Sequence, residues 1–203
     1  MRAAFKEWAV VVDALGSGGQ IIILRKGGIS EGREGFKPEH SRFFLFPTQF
    51  HQQRDEVIPS AQARYDLIAP AFRSDDRVRL EFFADIVVAE RLHSLEEAEA
   101  LRGQHIWRDE VIAERFEWGG ERAIYALVVR VFKLPAALEM PILASYGGCK
   151  SWIELEQDYD VGGSCPVLDN GVFEKKLGQF LETLRHNESA RLLVKAALKQ
   201  SGV

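Results

Sequence analysis

Several things are scarce in this chain of 203 residues, and each scarcity removes a class of function. No apolar run reaches the ~20 residues that a membrane-spanning helix needs. The longest near the N-terminus, Trp8–Val12, is also too short for the apolar region of a secretory signal. A cytoplasmic location without membrane association is the expectation. Cysteine is nearly absent. Cys149 and Cys165 are the only two and form no CxxC pair, so neither a zinc ribbon nor a disulfide framework is readable. A basic surplus is missing as well: 26 Lys and Arg face 30 Asp and Glu, for a net charge of −4. General coating of nucleic acid is thereby excluded, because phosphate neutralisation needs a cationic contact face, but a local basic patch is not. There is no repeat or low-complexity tract. The patterns GxGxxG, GxxxxGK[ST] and HExxH do not occur. The acid and acid-x-lysine pair of PD-(D/E)xK nucleases is absent too: Glu154-Leu155-Glu156 lacks the lysine.

What is present suits a folded chain: 46% hydrophobic and 28% charged residues. Trp8–Leu15 and Gln20–Leu24 flank Gly16-Ser17-Gly18-Gly19 and read as a β-hairpin. A long glycine-rich loop, 26–41, follows, then a strand over Arg42–Phe46 stopped by Pro47. Alternation predicts a long strand over Arg77–Arg91, and Arg122–Leu134 is the strongest strand, ended by Pro135. A helix is expected over Ala61–Ile68. Ser94-Leu-Glu-Glu97 is a capping-box pattern opening a helix that Gly103 ends, and another is expected over Asp109–Phe116. Apolar residues at helical spacing over Phe173–His186 and again over Glu188–Lys199 predict two helices that meet near Asn187 as a hairpin or kinked rod. Strands first and helices last favour an α+β fold. The expected architecture is a curled, partly closed antiparallel sheet, a small barrel or PUA-like in outline, with peripheral helices and a C-terminal helical hairpin. Residues 1–160 form the core domain, and 168–203 a helical extension packed on it or on a partner.

Four segments concentrate polar and aromatic residues outside the clean strand pattern. At Arg25-Lys26-Gly27-Gly28, two cations meet two glycines that let a backbone approach an anion; the structural alternative is a solvated turn, whose charges contribute little to stability. Around Lys37, His40, Arg42 and His51, cations and histidines flank an apolar strand, with Glu39 beside them. They serve as phosphate contacts, as an acid/base or ligand set, or as structural hydrogen-bonding groups at strand ends. His105, Trp107 and Arg115 combine a ring able to stack on a base with polar neighbours, and core packing is the competing role of Trp107. Tyr146-Gly147-Gly148-Cys149-Lys150-Ser151-Trp152 packs a thiol, a lysine and two aromatics together. A Cys149 nucleophile activated by Lys150 is weighed against a buried small thiol.

The strings KEWAVVVDAL, ILRKGGISE, EHSRFFLFPTQFHQ, HIWRDEVIAERF, LVVRVFKLP and YGGCKSWIEL together resemble a bacterial family of unknown function, DUF1802, over roughly residues 6–156. The C-terminal helices lie outside the resemblance. Association of some family members with Mrr-type restriction endonuclease domains implies a restriction or defence setting.

The leading expectation is a nucleic-acid-binding or modified-base-sensing accessory domain with DNA or RNA as its partner. Arg25, Lys26, Lys37, Arg42 and Lys150 would contact phosphates, Trp107 or Trp152 would stack, and His40, His51, His105, Arg115 and Tyr146 would complete the surface. No catalytic residue, metal or cofactor is assigned. The alternatives are a small hydrolase or metal-dependent nuclease built on His40, His51, His105 and Glu31 or Glu39, and a non-catalytic subunit that binds a protein through its C-terminal helices. The four segments are expected to line one face or cleft.

Overall fold

The N-terminal apolar run is divided between two elements. In the computed structural model, which describes residues 1–26, 38–49, 51–72, 76–119 and 122–200 (side chains excepted at 51, 52, 71, 72 and 187–200), β1 is Ala3–Trp8 and α1 is Ala9–Gly16. The expected hairpin is therefore a strand–helix unit. A run apolar on every side looks alike as buried strand or buried helix, and Ala9, Val10, Val11, Val12 and Leu15 are all buried here. The glycines instead close α1. Gly18 has φ +72°, and a Cβ there would lie 2.5 Å from Leu168 Cδ2.

The remaining strands are β2 (Ile22–Arg25), β3 (Arg42–Thr48), β4 (Arg77–Leu92), β5 (Ile124–Pro141), β6 (Trp152–Glu154) and β7 (Cys165–Pro166). They form a strongly curled half-barrel ordered β2-β5-β4-β3-β1-β6, with β7 also paired to β5. The pairings are antiparallel except β1 with β3, which is parallel. The long partners β4 and β5 carry the curl through register shifts at Leu80/Phe82 and Ile86/Val88. Pro135 does not end β5. It falls in the first of these shifts, between the pairs Phe82↔Lys133 and Leu80↔Leu138, where no ladder N–H is required. Pro47 likewise lies within β3, beyond the stretch Arg42–Phe44 that pairs with β4.

Side chains of β3 alternate between two cores. Phe43 and Leu45 join a large cluster with α1, Trp107, Ile112, Trp152 and Phe180, while Phe44 and Phe46 join a smaller one with Val78, Leu80, Tyr146 and Leu155. Burial of such side chains contributes about 1.5–3 kcal/mol each.

The helices are α2 (Pro59–Ile68), α3 (Leu95–Glu99), α4 (Asp109–Glu117) and α5 (Asn170–Gln200). The capping box forms at the start of α3: Glu97 N donates to Ser94 Oγ at 3.3 Å, and Glu97 Oε2 accepts from His93 N at 2.7 Å. The C-terminal hairpin is not formed. α5 is one continuous helix, because Asn187 costs a helix only a fraction of a kcal/mol, far less than a proline would, and no proline interrupts the segment. Phe173 and Phe180 anchor its first half in the large core. Among the described residues, no helix is long and apolar enough to cross a membrane.

Candidate nucleic-acid interface

The strand period places Lys6 and Trp8 on one side of β1 and Phe5 and Glu7 on the other. Lys6 Nζ donates to the carbonyls of Tyr146 (2.9 Å) and Gly148 (2.7 Å), strapping the 146–150 loop to β1. Arg25, at the end of β2, reaches the same loop. Its Nη2 and Nε donate to Ser151 Oγ at 2.8 and 3.3 Å, and its guanidinium lies 5.2 Å from the Phe5 ring centre.

Between these elements opens a cleft of about 710 Å³. Trp8, Phe46, Pro47, Val78, Ile142 and Leu143 supply apolar wall. Among the described residues its charged lining consists of Lys6, Arg25, Arg77 and Lys150, with no carboxylate, on a chain of net charge −4. The crowding shows in Lys6, whose ammonium is held below its ordinary value. Partial burial is the main cause, and Arg25 and Lys150 add to it while Cys149 acts in the opposite direction.

Behind the cleft, α4 contributes a second layer. The Arg115 guanidinium stacks 4.6 Å from the Trp8 ring centre and 5.1 Å from that of Trp107, and Nη1 donates to Leu24 O at 3.2 Å. Burial pushes its pKa down to about 10, reinforced by Arg25 and opposed by Glu7 and Glu56. Glu7 is 1% exposed. Its Oε1 accepts from Trp8 N at 2.7 Å. Its Oε2 has no hydrogen bond among the described residues and lies 3.8 Å from Arg25 Nη1. His105 is 5% exposed, neither ring nitrogen has a hydrogen-bond partner among the described residues, and burial pushes its pKa down to about 4.

Three of the four segments contribute to the cleft lining, and the segment around His105, Trp107 and Arg115 does not. Arg25, Tyr146 and Lys150 line the cleft together with Pro47 and Thr48. Tyr146 is largely buried, its hydroxyl accepting from Glu156 N at 3.3 Å. Lys26 does not reach the cleft lining; its Nζ donates to Phe116 O at 3.0 Å, tying the end of β2 to α4. Arg42 is engaged in a bidentate pair with Asp85 at 2.6 and 2.7 Å. Trp107 and Trp152, expected to stack on a base, are both buried. Trp107 is 1% exposed, and Trp152 is wedged edge-on between Phe5, Phe43 and His40. His105 and Arg115 are likewise pillars of this second layer rather than contacts on an open surface. Lys37, Glu31 and the side chain of His51 lie outside the described residues.

The composite histidine site does not assemble among the described residues. His105 packs against Trp107, His40 against Trp152, and no three His, Cys, Asp or Glu side chains gather. Cys149 and Cys165 are both exposed and not disulfide-bonded. Sequence reasoning missed Lys6, Trp8, Arg77 and Ile142. The readable signal was Lys6-Glu7-Trp8, a charged and aromatic interruption just before an unbroken apolar run.

Among proteins of curated function, none matches this chain. Among solved structures it is similar to ASCH from Zymomonas mobilis at 13% identity and TM-score 0.43, over 76% of this chain and 87% of that one. Two single-residue mutants of the same protein, ZmASCH, align at 12% identity and TM-score 0.44 (76% and 88% covered) and at 14% and 0.42 (76% and 90%). A family model described as "Domain of unknown function (DUF1802)" matches residues 4–179, further than the motif strings alone reach and into α5, and the chain accordingly belongs to the DUF1802 family.

Proposed function

We propose that this chain binds nucleic acid through the cleft between β1, β2 and the 146–150 loop. The observation that carries the reading is the sign of the lining: among the described residues, four cations and no carboxylate, on a chain that is acidic overall. Such a surface attracts phosphates through a local field without making the whole protein a polycation. The apolar wall beside those cations adds contact area for a base or sugar. Finer forms of the proposal are a modified base as ligand, a restriction or defence setting, a cytoplasmic location, and use of the 168–203 extension of the 1–160 core to hold a protein partner. Anchoring of the first half of α5 through Phe173 and Phe180 is compatible with that last role.

The test is the salt dependence of binding to a labelled single strand and a labelled duplex. Affinity for the preferred strand should fall steeply between about 50 and 200 mM salt, as counterions are released. Replacing Lys150 and Arg77 together by Ala should flatten the slope of log K against log salt by about one to two units. Arg42→Ala, which removes a cation already paired with Asp85 and outside the cleft, should leave it unchanged. Absence of binding to every strand, duplex and modified-base probe at low salt would refute the reading.

A further inference from the structure

We infer that the cleft takes one unpaired nucleotide, with a purine base stacked on Trp8 and the adjoining phosphate held by Lys6, Arg25 and Lys150. This rests on the nucleic-acid reading above and narrows it to one chemical class of ligand.

Size comes first. A volume of about 710 Å³ matches pockets that enclose a single small ligand, roughly 300–1,000 Å³. A duplex instead engages an extended surface, on the order of 1,000 Å² or more of protein. The second consideration is charge. Lys6 lies close enough to Arg25 and Lys150 for both to depress its basicity, so like charges are held together by the strapped loop. Among the described residues, Arg25 has one buried counter-ion, Glu7, at 3.8 Å, and none of the three cations faces a carboxylate across the cleft. A phosphate placed there relieves this repulsion.

The third consideration is the ring. Trp8 is half-buried and lines the cleft two residues from Lys6, so base and phosphate positions adjoin. Arg115 covers one part of the indole at 4.6 Å, and Trp107 backs the guanidinium at 5.1 Å. A cation on an aromatic face draws π density toward itself. The part of the ring left to the cleft is then a poorer partner for a second cation and a better one for an electron-rich heterocycle. Together with the four cationic side chains, this excludes a methylated-lysine or choline-like ligand and favours a purine. Arg115 does not line the cleft, so it is a positioning residue.

The experiment uses the full chain and a labelled oligo-dA strand, with oligo-dC, AMP, CMP, inorganic phosphate and a blunt duplex as competitors. The expected result is competition by AMP about tenfold better than by inorganic phosphate or CMP, and weaker competition by duplex than by single strand. Trp8→Phe should lower oligo-dA affinity several-fold. Arg115→Met, which keeps bulk and removes charge, should shrink the dA-over-dC preference while leaving the salt slope intact. A merely structural role would not move that preference. Equal competition by phosphate and AMP, equal binding of dA and dC, or duplex bound as tightly as single strand overturns the inference while nucleic-acid binding stands. Loss of all nucleic-acid binding in the unsubstituted chain overturns both. The competition series needs no variant and so decides the matter even where a substitution disturbs folding.

Discussion

Acidification should unfold this protein partly through one imidazole. His105 is 5% exposed beside Trp107, with neither nitrogen hydrogen-bonded to any described residue. In the unfolded chain it takes up a proton near pH 6.5, and in the fold only near pH 4. Burial is the main cause; Arg115 and Arg102 act in the same direction, while Asp109 opposes them. Between those values the unfolded state binds more protons, so stability falls as pH falls. Above pH 6.5 both states are neutral and the group contributes nothing. Below pH 4 the penalty is complete. At about 1.4 kcal/mol per pH unit, the interval amounts to a ceiling of roughly 3 kcal/mol, of which about 2.5 kcal/mol is reached by pH 4.5. The perturbation is His105→Phe, which fills similar space and does not titrate. Urea unfolding of both proteins at about pH 7.5 and about pH 4.5 isolates the residue, because the other titrating groups are common to the two. The unsubstituted chain should lose about 2.5 kcal/mol more than the variant across that range. Parallel losses within about 0.5 kcal/mol, or an NMR titration placing His105 near its ordinary value, would refute the reasoning.

Two further perturbations test the layer that supports the cleft. Replacing Arg25 and Lys26 together by Ala removes the neighbour of buried Glu7, the Ser151 contact and the tie to Phe116 O, and should cost about 3 kcal/mol. The melting temperature should drop by roughly 6–12 °C in calorimetry, and an unchanged value would restore the solvated-turn reading. Gly18→Ala should cost about 2 kcal/mol in equilibrium unfolding, since φ is +72° and the new Cβ meets Leu168; a neutral result would mean that the segment before α5 yields freely.

Much of the framework was legible because its signals are local. The alternation of Val78 and Leu80 marks the start of β4, although the register shift after Leu80 puts Phe83 rather than Phe82 beside them; Ser94 and Glu97 mark the start of α3, and Gly103, at φ +83°, follows it. Those residues act on neighbours within a few positions, so a linear reading finds them. Boundaries that depend on partners were not legible. Pro47 and Pro135 read as stops because a proline has no N–H to donate, yet both stay within strands where the sheet asks for none. The Val10-Val11-Val12 run reads as strand by propensity and is helical because burial on every side overrides that weak preference.

The site divides in the same way. From the sequence alone came the family and the curled α+β outline. Composition and motif strings suffice for that, because they reflect residue types rather than positions in space. Only the tertiary structure decided what each side chain does there. Arg25 became a cleft cation and Arg42 a partner of Asp85, while Trp107 went into the core and Trp8 was left at the edge. The physical reason is that a charge or a ring takes its role from what is packed against it. Arg115 is a pillar between Trp8 and Trp107 because β1 and the segment before α4 fold against each other, a juxtaposition that no local pattern in the chain encodes.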